Sequence, residues 1–213
     1  LIAKSSLKQV VAEVFAKTIS PKGDMAATTA KWTIEDYHHM IEAGILVNRR
    51  VELIQGEIVE MAPEGTSHAA YSQAAGDYLR SVLGSRAKIR EAKPITLLNT
   101  SSEPEPDIAI VVPHPIEVYL QHYPYPEDIF WLIECSDSSL NQDLEDKSQI
   151  YAAAGITEYW VMNLKAMELT VLRSPAAGVY ESKTIFATGT IAPLGFPDLL
   201  VSIDQLVNHR LGQ

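Results

Sequence analysis

Cysteine is nearly absent: Cys135 stands alone among 213 residues. That excludes an intramolecular disulfide and fits a reducing compartment, so a cytoplasmic setting is expected. Long apolar runs are missing as well. The strongest, residues 108–112 and 129–133, fall far short of the roughly 20 residues that span a bilayer, so no membrane partner is expected. The N-terminal region lacks a compact apolar stretch followed by a small-residue cleavage site, and no signal peptide is read there. Glycine-rich phosphate loops of the Walker or dinucleotide type are absent. His38, His39, His114 and His122 have no cysteine pair beside them and make no zinc pattern. Gly65-Thr66-Ser67-His68 lacks the flanking glycine of a serine-hydrolase elbow.

Basic residues are also scarce, 17 against 27 acids, for a net charge of −10. This balance argues against indiscriminate binding to nucleic acid, which depends on neutralising phosphates. A carboxylate site filled by a divalent cation can act on nucleic acid nonetheless. Arg80, Arg86, Lys88, Arg90 and Lys93 lie close in sequence, as do Arg49 and Arg50. They read either as a solvated face or as a rim that tracks phosphates.

What is present is a mixture of helix and strand signals. Residues 1–30 look like an N-terminal appendage, with a short helix over 7–16 ended by Ser20-Pro21-Lys22-Gly23 and an alternative start at Met25. The compact domain is expected over 31–213. Thr33 caps a helix that runs to about Ala43, stopped by Gly44. Residues 50–54 and 57–61 flank Gln55-Gly56, a hairpin signal. A longer helix opens at Thr66 or Ser67 and runs to about Leu83, with Ala70, Ala74, Tyr78 and Leu79 on one side. Residues 89–98 read as a strand interrupted at Pro94. Residues 107–112 and 130–135 are apolar at consecutive positions, as strands covered on both faces are. A helix over 140–154, strands over 158–164, 168–173 and within 179–191, and a closing strand and short helix over 198–206 complete an α/β domain around a mixed sheet.

Two carboxylates stand out. Asp107 sits at the mouth of one buried strand, directly after Pro106, and Glu134 sits near the end of another, between Ile133 and Cys135. A buried charge is costly unless paired, hydrogen-bonded or bound to a metal. If the two strands are neighbours, the pair makes a hard-oxygen site suited to Mg²⁺ or Mn²⁺. The plainer reading is that each caps a strand end or meets an arginine. Asp143, Lys147 and Tyr151 recur at every fourth position and share one helix face. That helix follows the Glu134 strand, so Lys147 can reach the same pocket; an ordinary helical ion pair with Asp143 is the alternative.

Taken in order, Val51-Glu52-Leu53-Ile54-Gln55-Gly56-Glu57, Pro106-Asp107, Glu134 before Cys135-Ser136, Asp143, Lys147, Tyr151 and Gly155-Ile156-Thr157-Glu158-Tyr159-Trp160 resemble the Uma-two family of restriction-endonuclease-like proteins, within the PD-(D/E)XK nuclease superfamily. The resemblance runs from about Trp32 to Leu206. It implies a restriction-endonuclease-like mixed β-sheet core flanked by helices. It implies Asp107 and Glu134 as metal ligands, with the Cys135 carbonyl as a further one, and Lys147 as the catalytic lysine. Glu52 would be an additional catalytic acid and His68 a phosphate contact or proton shuttle, with Asp143 and Tyr151 in support. Ser136 stands where the superfamily usually carries its lysine, which here would come from the following helix. The usual Ser-Pro-Ser-Thr after the acid reads Ser136-Asp137-Ser138-Ser139, which changes the turn and adds charge.

The expected function is Mg²⁺- or Mn²⁺-dependent endonucleolytic hydrolysis of DNA, with a homodimer as the simplest way to cut two strands. Two other readings fit the residues: a catalytically inactive nuclease-fold module for binding or assembly, and hydrolysis of a smaller phosphoester.

Overall fold

The computed structural model describes residues 28–208. The helix expected over 7–16, and almost all of the appendage over 1–30, lie outside the described residues. No helix among the described residues is long and apolar enough to cross a membrane.

The first elements form for local reasons. Helix α1 (Ile34–Glu42) begins at Thr33, whose Oγ1 accepts the Asp36 N–H at 3.1 Å while the Asp36 carboxylate accepts the Thr33 N–H at 3.0 Å. Two orphan amides at the helix start are thereby satisfied. Strands β1 (Val51–Ile54) and β2 (Glu57–Glu60) pair antiparallel around a two-residue turn. Gln55 (φ 49°) and Gly56 (φ 75°) both occupy the left-handed region that such turns need. A Cβ at Gly56 would also lie 2.9 Å from the Lys31 Cβ and 3.0 Å from the Trp32 carbonyl oxygen. Gly56→Ala is therefore expected to lower stability by about 1–3 kcal/mol, read as an earlier urea midpoint at unchanged m-value.

Helix α2 (Thr66–Leu83) lies over one face of a six-stranded sheet. Its buried side is Ala75, Gly76, Leu79 and Leu83. The Ala70–Ala74 side expected from the sequence is turned further outward: Ala70 is exposed and Ala74 half-buried. The sheet order is β3 (Lys88–Glu91), β4 (Ile108–Val111), β5 (Ile129–Ser136), β6 (Glu158–Asn163), β7 (Glu168–Ala176) and β8 (Val179–Phe186). All neighbours are antiparallel except β5 and β6. Strand β3 is shorter than the run expected over 89–98. Ala92 turns with φ 46°, and its N–H goes to the Asp107 carbonyl, which ends regular pairing.

The parallel β5–β6 pair requires a crossover, since parallel strands cannot be joined by a tight turn. The crossover is helix α4, made of Leu140–Gln142, a π-wound stretch Asp143–Lys147 and Ser148–Ala153. A short helix α3 (Ile116–Tyr119) lies in the β4–β5 connection.

Alternation along the central strands divides the core in two. Ile108, Ile110, Trp131, Ile133 and Cys135 pack with α2. Ala109, Val111 and Leu132 pack with Ile150 and Tyr151 of α4 on the opposite face. Because side chains alternate along β5 from Trp131 onward, Glu134 shares the α4 face with Leu132. The end of β5, the start of its crossover helix and the entry to β4 are therefore brought together by the topology.

Candidate active site

Glu134 is 2% exposed, an acid enclosed near the end of an eight-residue strand. Its Oε1 accepts the Tyr151 hydroxyl at 2.8 Å and lies 3.0 Å from the Lys147 Nζ. Burial pushes the carboxyl well above its ordinary value; Lys147 pulls it back, while Asp107 and Asp143 add to the rise. Burial works against the charge on Lys147, but Glu134, Glu52, Asp143 and Asp107 outweigh it, so its ammonium is held more tightly than usual. Both Tyr151 and Lys147 come from α4, where a spacing of four places them on one side. The face inferred from the sequence is thus the face that meets Glu134.

Asp107 enters from the neighbouring strand. Its Oδ2 accepts the Cys135 N–H at 2.7 Å and meets the His68 Nε2 at 2.9 Å. In an extended strand the N–H and C=O of one residue point to the same edge. The Cys135 carbonyl therefore lies along the Asp107 edge. Continuing the β4–β5 register from Ile108↔Ile133 sets Pro106 opposite Cys135, and proline has no N–H to offer that carbonyl. The Cys135 thiol is buried with the α2 face, 3.8 Å from the Met162 sulfur, and burial pushes its pKa up. Its contribution to a metal site would be backbone oxygen only.

His68 lies in the first turn of α2 and is held chiefly by Asp107. That hydrogen bond raises the imidazole pKa above 6.5 against opposing burial, aided by the charges of Asp107, Glu64 and Asp143. The proton binds more tightly in the folded chain. The contact therefore stabilises fully below pH 6.5 and is lost as pH rises through the raised value. We expect His68 to titrate above 6.5 by NMR, and Asp107→Asn to move it down. The His68 Nδ1 is buried with no hydrogen-bond partner among the described residues.

Glu52, on β1, is 6% exposed and accepts the Glu105 N–H at 2.8 Å. Asp143 is braced by the hydroxyls of Ser136 and Ser139, each at 2.6 Å, and its other oxygen stands 3.7 Å from Lys147. Glu52, His68, Asp107, Glu134, Asp143 and Lys147 all line one cavity of about 430 Å³. The structure therefore brings together every candidate side chain named from the sequence, with Tyr151 behind Glu134 and Cys135 on the adjoining strand edge. It adds Glu105, Arg50, Asp137 and Gln142 to the wall. Burial and Glu52 push the Glu105 carboxyl up. Nothing in the sequence singled out Glu105, because its place depends on the contact between the β1 hairpin and the segment before Asp107. The role of Ser136 was equally hidden: at the position where a lysine was sought, its hydroxyl anchors α4.

The donor set suits a hard divalent ion with a partial protein shell. Among the described residues, no three His, Cys, Asp or Glu side chains are grouped so as to hold a metal by themselves. Asp107 Oδ1 has no hydrogen-bond donor among those residues, and Glu134 Oε2 has only the Asp107 N–H at 3.5 Å. Mg²⁺ characteristically takes one or two carboxylates and completes its octahedron with water and phosphate oxygens. Two carboxylates and a strand-edge carbonyl fit that habit.

A family model described as "Putative restriction endonuclease" matches residues 34–204. Among solved structures, the chain is similar to one described as "a putative nuclease belonging to DUF820 from Anabaena variabilis ATCC 29413". The two are 17% identical with a TM-score of 0.56, over 74% of this chain and 89% of that one. At that identity the likeness shows the fold, which in this chain is a mixed six-stranded sheet flanked by helices. No curated protein matches the chain.

Proposed function

The chain belongs to this family, Uma2, and from that premise we propose that its acidic cavity hydrolyses DNA phosphodiester bonds with Mg²⁺ or Mn²⁺ as cofactor. The observation that carries the reading is the Glu134–Lys147 contact at 3.0 Å beside Asp107 in one cavity. A structural ion pair needs no second buried carboxylate next to it and no opening to solvent. Asp107, Glu134 and the Cys135 carbonyl would hold the ion. When bound, it supplies Lewis acidity and an acidified water at neutral pH.

This chain's own residues do the rest. Lys147 favours the anionic, ligating form of Glu134 against burial and presents an ammonium to charge developing on a phosphoryl oxygen. Tyr151 fixes the Glu134 carboxylate from behind. The Cys135 amide and His68 orient Asp107. Glu52 adds negative charge at the cavity wall and would favour a cation held there. The test is cleavage of plasmid and oligonucleotide DNA by purified protein with Mg²⁺ or Mn²⁺, beside Asp107→Ala. Cleavage that depends on metal and vanishes in the variant is expected; equal cleavage by both proteins refutes the reading. A homodimer would supply one such cavity for each strand, and sedimentation of the same samples tests that.

One observation favours a second reading. The Glu134 Oε1 already accepts two bonds, and no ready-made three-residue ligand group is present among the described residues. A nuclease fold retained for binding or assembly would look like this. Calorimetry with Mn²⁺ separates the two: heat that disappears in Asp107→Ala supports the enzyme, and no heat at millimolar metal supports the module.

A further inference from the structure

Among the described residues, Arg49, Arg50, Arg80, Arg86 and Arg173 each pair with a carboxylate. For these, the solvated-face reading of the basic cluster holds or the charge is used internally. Arg90 is the exception. It lies on β3, the edge strand, and its half-buried guanidinium makes one side-chain hydrogen bond, to the Pro94 carbonyl at 3.2 Å. Its Nε is buried with no partner. The guanidinium carbon stands 5.7 Å from the Tyr119 ring centroid, and the Lys88 Nζ stands 5.4 Å from the same centroid. A spacing of two puts both cations on one side of β3.

Two like charges sharing one ring repel each other. The ring's quadrupole offsets only about 0.5–2 kcal/mol per cation. Burial also pushes the Arg90 pKa down, as expected of a cation without an anion. The carboxylate near Tyr119, Asp128, is committed elsewhere: its oxygens meet His114 Nε2 at 2.9 Å and the Tyr125 N–H at 3.1 Å. Among the described residues, rich in acids, the lack of a carboxylate paired with Arg90 or Lys88 is informative. A fork of N–H donors beside an ammonium matches a tetrahedral oxyanion.

We propose that Lys88 and Arg90, braced on Tyr119, form a phosphate-binding site apart from the acidic cavity, whose wall includes none of the three. The phosphate belongs either to a nucleic-acid backbone or to a free phosphate compound. The site stands whether or not the cavity cuts DNA.

The test uses the full chain without metal, with inorganic phosphate and a short DNA duplex as probes. NMR follows the Arg90 Nε–H signal, and titrations compare wild type with Lys88→Ala and Arg90→Lys. Lys88→Ala leaves the core intact, and Arg90→Lys keeps the charge while removing the fork; thermal unfolding checks that both stay folded. Inorganic phosphate is expected to shift the Arg90 signal and to bind about tenfold more weakly to either variant. If the source is nucleic acid, Lys88→Ala also lowers the salt slope of duplex binding by about 0.9, while Arg90→Lys, which keeps its charge, leaves the slope unchanged. An unchanged slope in Lys88→Ala with a retained phosphate response assigns the site to free phosphate. No shift with either probe, or equal affinities in folded variants, overturns the proposal.

Discussion

Replacing Lys147 with methionine should lower metal-dependent cleavage at least about a hundredfold and destabilise the fold by roughly 3–5 kcal/mol. Both effects have one cause. Glu134 is almost fully enclosed, and the ammonium 3.0 Å away favours its charged form against burial. Methionine fills similar volume but leaves Glu134 uncompensated beside Asp107, Asp143 and Glu52. The loss should fall toward the lower end of that range, since the cavity admits water to one side of the site. Without Lys147, burial and the neighbouring acids push the Glu134 carboxyl further up and favour its protonated form. A protonated acid is a poor ligand for a divalent ion, so metal affinity should fall with it.

The pH dependence gives the effect a signature. A carboxyl whose folded pKa is raised binds its proton more tightly folded than unfolded. Stability then increases as pH falls through the folded value. The deficit of Lys147→Met relative to wild type should therefore shrink on mild acidification, as measured by urea unfolding at two pH values. Adding Glu134→Gln to Lys147→Met removes the stranded charge and should recover much of the stability but none of the cleavage. Full cleavage by Lys147→Met, with the chain folded, would remove Lys147 from the chemistry.

The second large effect lies away from the cavity. Arg173→Leu is expected to cost roughly 3–5 kcal/mol and to lower the melting temperature by about 10 °C, with the cavity residues untouched. Glu158 is fully buried at the start of β6. Its Oε1 accepts from Arg173 Nε and Trp160 Nε1, each at 2.8 Å, and its Oε2 accepts the Leu194 N–H at 2.7 Å. Arg173, directly opposite on β7, supplies the only cation in this group and also donates to the Ala192 carbonyl. Leucine leaves a buried carboxylate with two neutral donors and no counter-ion. Arg173→Lys should recover only part of the loss, because an ammonium lacks the fork that reaches both Glu158 and Ala192. Calorimetric melting of the two variants checks the order, wild type above lysine above leucine.

The sequence made these two sites unequally visible. Glu134 was conspicuous because a charge inside Trp131-Leu132-Ile133 has no packing reason to be there. Lys147 could be tied to it through the family resemblance and through the spacing that puts Asp143, Lys147 and Tyr151 on one helix face. Glu158 stands in the sequence only as part of the Gly155–Trp160 stretch, with no role legible, because its partner is fifteen residues away on another strand and no local pattern links them. His68 was one of several helix-borne histidines; only the packing of α2 against the sheet puts its Nε2 against Asp107. The α2 face was legible only in part, with Tyr78 and Leu79 packed inward but Ala70 exposed, for a related reason. Alanines mark both sides of that helix, and the contact surface, rather than hydropathy, selects Ala75 over Ala70. The strand expected over 89–98 was cut short at Ala92, where the chain turns and bonds to Asp107.

What the amino-acid order settles by itself is local. Thr33 with Asp36 starts a helix, Gln55-Gly56 closes a hairpin, and apolar runs at 108–111 and 129–133 make buried strands, because each depends on interactions within a few residues. Through that order, the chain's membership of a nuclease family is also readable. The tertiary structure decides which strands are neighbours, and hence that Asp107 meets the Cys135 amide, that α4 returns Lys147 and Tyr151 to Glu134, and that Glu105 and His68 join the same wall. Those contacts join residues more than ten positions apart, and their existence depends on the register of a close-packed sheet, which no short window of sequence contains.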